Sequence, residues 1–482
     1  MRNNISRRDF LALSGTAVLA ASASQLFADD KTDDLKAFVR VSQRYPRYFE
    51  LDNGKPYIPI GINMTCPPQG DDDSLTKLEN DWFKKLHANR ANFIRIWLSH
   101  QQYEVEREKP GNMDSARAKR LDKLFALARK YGIRLKLCTE HFRNFGEGNQ
   151  RWADRSMYLK KNGGMAEDFR DYFLGEAGRE HYKKKLQWYA NRYGNDPIVF
   201  GWELWNEMNS IYYSNAIWRK WTAEMLPELH RLFPKNLAMQ SLGSFDRESA
   251  KKMYEDLCRM PGNDVLQVHR YLDLGAEWNI CHAPVAELSA EAVKELLGQN
   301  VPKPVLLAEG GAVEPKHIGP SKLYEKDKAG IILHDVLFAP FFVGAAGSGH
   351  CWHWDIYVHK NDLWHHFDRF ASVVEGLDPI AEELKPFEIP HDRLYLYGLK
   401  GKNKMLIWCR DKENTWKTEL EEGKSPESLS GLELDLSKTE FLFNGKKIAV
   451  YDPWENRQIE TKTINTKVVL PSFRRSVVLT VS

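Results

Sequence analysis

Hydrophobic and polar positions fall into two textures along this chain. From about residue 48 to 378, short apolar runs alternate with longer stretches whose apolar residues recur at helical spacing. The strand-like runs end at Asn63, or span 92–98, 134–140, 198–207, 237–242, 264–271, 304–309 and 345–354. Helical spacing fills roughly 78–88, 116–131, 178–192, 215–233, 247–259, 290–298, 326–338 and 364–376. In the second of these, Leu121, Leu124, Phe125, Leu127 and Ala128 share a face, and Gly132 stops the helix. Eight strands alternating with eight helices predict parallel βα units closed into an α/β TIM barrel. The competitor is a doubly wound open sheet, but no glycine-rich phosphate loop follows the first strand. An Asn53-Gly54 turn predicts a hairpin ahead of the barrel. From about residue 388 the helical spacing stops. Short strands such as 394–399, 405–409 and 476–481 alternate with turns and predict a separate, small C-terminal all-β sandwich. The expected layout is a leader at 1–28, the barrel at 29–386 and the sandwich at 387–482.

Two of the strands end on a carboxylate. Ile198-Val-Phe-Gly-Trp-Glu-Leu-Trp-Asn-Glu207 and Pro304-Val-Leu-Leu-Ala-Glu309 are otherwise apolar or aromatic, and the two terminal Glu residues are 102 positions apart. An ionised carboxylate is costly to bury unpaired. At the open, C-terminal face of a parallel barrel it would look into a cleft instead. Other strands bring Arg95, His141, Asn206, His269, Tyr271, Trp352 and Trp354 to the same face. A purely structural barrel has no reason to collect such a set there. Glu203 shares the parity of Glu207 but lies deeper, so it is expected to pair with a core Arg or Lys. Trp97 and Trp205 are expected in the core.

Composition changes this picture little. The 482 residues carry a formal charge of +3 with 28% charged residues, which implies no polyelectrolyte partner and no nucleic acid. Six cysteines include no Cys-x-x-Cys pair, so no zinc site is indicated, and the disulfide pattern cannot be read. His350, His353, His359, His365 and His366 cluster without a carboxylate ligand set, which favours loop and substrate contacts over a metal. No cofactor is expected. Near the N-terminus, Ser6-Arg-Arg-Asp-Phe-Leu11 resembles a twin-arginine export motif and precedes a mild apolar run ending in small residues. It predicts export, to the periplasm or beyond, with no membrane span in the mature chain. A long polar and aromatic segment at 142–175, with Trp152 and Tyr158, reads as a lid or binding loop.

The motifs Asn92-Phe-Ile-Arg95, Trp205-Asn-Glu207, His269-Arg-Tyr271, Leu307-Ala-Glu309 and Trp352-His-Trp354 together resemble the retaining glycoside hydrolases of clan A, and most of all glycoside hydrolase family 5. The resemblance runs from about residue 48 to 378. It implies that Glu207 is the acid/base and Glu309 the nucleophile, with Asn206 holding the sugar 2-hydroxyl. It also places Arg95 and Tyr271 beside Glu309, His269 near the acid/base, and a strand-eight Trp, for preference Trp354, under the reacting sugar. His141 is a further candidate for substrate contact or for anchoring a loop. The chain departs from the commoner Glu-Phe-Gly by reading Glu309-Gly-Gly. The implied substrate is a β-linked polysaccharide or oligosaccharide, with endo action on β-1,4-mannan or β-glucan favoured. Exo-glycosidase, transglycosylase and catalytically silent carbohydrate-binding readings are the alternatives.

Overall fold

A computed structural model of the chain describes residues 34–66, 74–106, 108–141, 156–211, 214–317, 319–443, 446–464 and 466–482. The export-like stretch and Trp152 lie outside the described residues. Three short antiparallel strands, β1 (Val39–Val41), β2 (Phe49–Leu51) and β3 (Pro56–Tyr57), form the hairpin region, with Gly54 at φ +90° in its turn. The barrel follows. Strands β4 (Gly61–Asn63), β5 (Phe93–Trp97), β6 (Arg134–His141), β7 (Val199–Asn206) and β8 (Leu237–Met239) pair in parallel in sequence order. Strands β9 (Leu266–Leu272) and β10 (Val305–Ala312) form a second parallel pair.

Side chains replace ladder bonds between β8 and β9. The Asp264 carboxylate accepts the Ala238 N–H at 2.8 Å, and Asn263 Oδ1 accepts that of Gln240 at 3.1 Å. This is why the fifth strand stops before the 237–242 span that the pattern predicts. The eighth position is an irregular run at 345–352 rather than a strand. Its Ala346 and His350 N–H groups donate to Val305 and Leu307, while Asn63 on the other side donates to Cys351. A Cβ at Gly349 would stand 2.1 Å from the Val336 carbonyl, so the chain passes flush against the following helix there. These contacts close the barrel.

Helices return the chain between strands. The helix Ser115–Tyr131 begins at Asp114, whose side chain accepts the Ala116 and Arg117 N–H groups, and ends on Gly132 at φ +65°. Helix Ile331–Phe342 is buried at every position, because a second layer covers its outer side. That layer is a six-stranded antiparallel sheet with the order Lys385–Glu388, Leu394–Lys400, Met405–Asp411, Ser476–Val481, Ile448–Asp452, Arg457–Ile459. Its residues alternate strictly. Leu396, Ile407 and Leu479 face a smaller three-stranded sheet, and Tyr397, Trp408 and Val478 join the barrel's core. The C-terminal region is therefore two-layered, as its pattern predicts, but its larger sheet shares a core with the barrel. Arg410 crosses the seam to Asp335 in a two-point pair at 2.8 and 3.1 Å, both side chains buried. Among the described residues, no helix is long and apolar enough to cross a membrane. All six cysteines are free thiols.

Candidate active site

Every residue of β7 is buried, and Glu207 follows its last residue at φ +52°, a left-handed conformation that a side chain rarely adopts. A chain of hydrogen bonds holds it there. The Glu207 N–H donates to Ser241 Oγ at 3.0 Å, and the Ser241 hydroxyl donates to Oε1 of Glu203. Glu203 lies inside the barrel at 0% exposure, with Arg95 Nε and Nη2 at 2.9 and 2.8 Å and Lys136 Nζ at 3.1 Å. This is the core pairing its parity predicts. Arg95 then reaches outward. Its Nη1 donates to Glu309 Oε1, and its Nη2 donates to Asn206 Oδ1 at 2.5 Å, which turns the Asn206 amide nitrogen toward the cleft.

Glu309 sits on β10 where its register against β9 breaks between Leu307 and Glu309, an irregularity that re-aims the side chain. Its second oxygen accepts the Tyr271 hydroxyl at 2.7 Å. His269 Nδ1 lies 2.9 Å from Glu207 Oε1 and 3.3 Å from Glu309 Oε2. Glu207, His269 and Glu309 each offer an atom within 4.8 Å of one another. A cation would fit that spacing, but the Arg95 guanidinium already neutralises Glu309 and repels a second positive charge.

The environments separate the two carboxyls. Burial pushes Glu207 well above the usual carboxylate range, and the charge of Glu309 adds to the rise. Burial also raises Glu309, but the Arg95 cation and the Tyr271 hydroxyl act against it. The first proton lost by the pair therefore leaves Glu309, and Glu207 keeps its own. His269 contributes no charge, because burial and the cations Arg95 and Lys136 hold its ring neutral.

A cleft of about 880 Å³ opens above these groups. Asn206, Glu207, Tyr271, Glu309, Trp352 and Trp354 line it. Arg95, His269 and His141, expected at the same open face, do not line it, although Arg95 lies beside Glu309 and His269 beside Glu207 as the motifs imply. Arg95 and His269 are 0% exposed and act on the carboxylates, not on the cleft. His141 stacks on Trp97 at 4.6 Å and bonds Ser99, one layer behind the wall. Trp97, expected in the core, is a wall residue, packed against Trp352 at 4.9 Å. Of the strand-eight pair, Trp352 is the half-buried ring and Trp354, the one favoured as the floor, is the more buried, backed by Trp82.

Loop residues complete the rim: Asp246, Arg247, Asp273, Glu277 and His317. His317 bridges Asp273 at 2.8 Å and Ser244 at 3.0 Å and packs edge-on against Tyr271. Loop positions carry no periodicity, so nothing in the sequence pattern marked them. The histidine cluster disperses: His350 stacks on Phe93 inside the barrel, His366 bonds a backbone carbonyl, and His353 alone of the five lines the cleft.

A family model described as cellulase (glycosyl hydrolase family 5) matches residues 53–332. Mannan endo-1,4-beta-mannosidase 4 of Oryza sativa subsp. japonica is 28% identical over 177 residues, which cover 34% of this chain and 37% of that protein. Mannan endo-1,4-beta-mannosidase 5 of Arabidopsis thaliana is 24% identical over 58% of this chain and 69% of its own length. The chain thus spans only about a third of the length of the rice relative. A solved glycoside hydrolase family 5 structure from Bacteroides vulgatus ATCC 8482 superposes with a TM-score of 0.61 at 13% identity, covering 92% of each chain. That likeness speaks to the fold, including the C-terminal layer.

Proposed function

This chain belongs to glycosyl hydrolase family 5, and from that premise we propose that it cleaves a β-linked polysaccharide with retention of configuration, β-1,4-mannan being the favoured substrate and endo cleavage the favoured mode. The observation that carries the reading is the carboxyl pair itself. Two groups from different strands come within 4.8 Å, and only one of them is held by a cation. Retention needs carboxyls about 5–5.5 Å apart, close enough for one to attack the sugar directly. Glu309, ionised against Arg95 and Tyr271, attacks the anomeric carbon. Glu207, protonated, gives its proton to the leaving oxygen. Once the glycosyl ester forms, Glu309 carries no charge, so Glu207 loses the repulsion that kept its proton. It then acts as base on the incoming water. The Asn206 amide donates to a hydroxyl beside the reacting carbon, and Trp352 offers a flat apolar floor to the sugar's C–H face.

Mannan is preferred to glucan because the curated relatives are named for mannan cleavage. Product analysis on β-mannan, β-glucan and xylan, with Glu309→Gln as control, tests the reading. Oligosaccharides from mannan, absent in the control, are expected. Monosaccharide alone would turn the assignment to exo action, and no product from any polymer would overturn it.

A further inference from the structure

The Glu309-Gly310-Gly311 sequence has a consequence beyond the nucleophile. Gly311 adopts φ +134°, and a Cβ there would come 2.6 Å from the Tyr324 hydroxyl. Glycine therefore opens the space through which Tyr324 reaches the barrel mouth. The Tyr324 oxygen accepts the Ala312 N–H at 2.6 Å and lies 2.9 Å from Nδ1 of His353. The phenol is buried and stacked on Tyr357 at 4.0 Å. Its own proton has one acceptor among the described residues, His353 Nδ1. That nitrogen must then be unprotonated. A neutral imidazole with a bare Nδ1 carries its proton on Nε2. The ring stays neutral because burial pushes its pKa down to about 3. His353 lies between Trp352 and Trp354, lines the cleft, and is 7% exposed. Its Nε2 has no partner among the described residues, and it is not sealed into the interior.

We propose that His353 is a substrate-binding residue: the Ala312–Tyr324 relay fixes its tautomer so that Nε2–H donates to a hydroxyl oxygen of the sugar lying on Trp352. The chemistry recognised is an acceptor oxygen at a set position on one sugar ring, which makes the residue a determinant of which epimer or substitution the cleft admits. The proposal rests on the reading of the cleft as a sugar site.

Three variants test it, with kcat and KM measured on β-1,4-mannopentaose. His353→Phe keeps the ring's bulk and removes the donor. It should raise KM about three- to tenfold, the worth of one neutral hydrogen bond, with a smaller fall in kcat, the pattern of an interaction made equally in ground and transition states. His353→Gln places an amide N–H near the Nε2 position and should recover most of the loss. Tyr324→Phe frees the tautomer and should give an intermediate KM. Independently of turnover, the ¹⁵N spectrum of labelled protein, with His353→Gln to assign the ring, should show Nε2 protonated and Nδ1 bare. An Nδ1–H tautomer, or an unchanged KM in His353→Phe when the wild type cleaves mannopentaose, would overturn this proposal and leave the family reading intact. If the wild type neither binds nor cleaves any β-linked oligosaccharide, both fall, while the tautomer measurement still reports on the relay alone.

Discussion

Arg95 and Glu203 meet face to face inside the barrel, with Nε and Nη2 at 2.9 and 2.8 Å from the two carboxylate oxygens. This pair sets the direction of Nη1, which points at Glu309. Removing Arg95 alone should hurt twice. Arg95→Met leaves Glu203 buried with Lys136 as its one cation, which should cost about 3–5 kcal/mol of stability. Urea unfolding measures this. Arg95→Met combined with Glu203→Gln should recover much of the stability but none of the activity, because Glu309 still lacks its cation. Recovery of turnover in the double variant would contradict the role given to Arg95.

The roles proposed for Glu207 and Glu309 should separate by leaving group. Glu309→Gln should lower kcat by several powers of ten on every substrate. Glu207→Gln should lose about 10²–10⁴-fold on natural glycosides, yet form the glycosyl-enzyme readily from aryl glycosides whose phenol needs no proton to depart. Burst kinetics on a dinitrophenyl glycoside distinguish the two. Equal losses on both substrate types in Glu207→Gln would remove it as the acid.

Tyr271 donates to the ionised form of Glu309, so Tyr271→Phe should make that form harder to reach. A hydrogen bond to a charged group contributes about 1.5–3 kcal/mol. The acid limb of the kcat/KM profile should move to higher pH, and kcat should fall at least about tenfold. An acid limb that does not move would mean the hydroxyl serves the substrate instead.

The wild-type profile should be a bell, with both limbs belonging to the coupled pair. The proposed mechanism needs Glu309 ionised, which sets the acid limb, and Glu207 protonated, which sets the basic limb. Burial raises both groups, so the whole bell should lie above ordinary carboxylate titration. Stability follows a different window. Burial alone would raise Glu203, but Arg95 and Lys136 outweigh it and bring it from 4.5 to about 2. A carboxyl lowered on folding stabilises the native state above its unfolded value, and that contribution fades as pH falls from about 4.5 through about 2. Acid unfolding followed by circular dichroism should therefore lose this increment below the pH at which activity has already gone. Glu203→Gln should flatten that part of the curve.

Much of the barrel was legible because its strands end abruptly. Glu207 and Glu309 stood out as carboxylates closing apolar runs, and Gly132 marked the end of a helix that the structure ends at the same place. The irregular eighth position was harder. Ala345 to Trp354 has strand-like composition, but its glycines serve close approach to neighbouring backbone, not pairing. Trp97 also reads as a core ring in the sequence, whereas it forms part of the cleft wall beside Trp352. Arg95 and His269 were assigned to the right neighbourhood but the wrong layer, since sequence order does not say how deep in a barrel a side chain ends. Asp273 and His317 gave no signal at all, because a loop residue acquires its meaning only from what the fold brings beside it. The C-terminal strands were recognised from their alternation, but nothing in that pattern says which face meets the barrel.

The covered helix Ile331–Phe342 bears on how such a chain can be rearranged. Every side chain of that helix is buried between the barrel and the six-stranded sheet, and Arg410 ties the sheet to Asp335 on it. A cut near Pro386, where the sequence texture changes, would strip water-shy surface from Phe338 and Phe342 and take from Asp335 its Arg410 partner. The C-terminal strands are thus not an interchangeable cassette, such as a tethered sugar-binding module would be. A chimera that grafts this barrel onto another tail must carry the sheet with it or rebuild the outer face of that helix. In a calorimeter the two regions should melt as one peak.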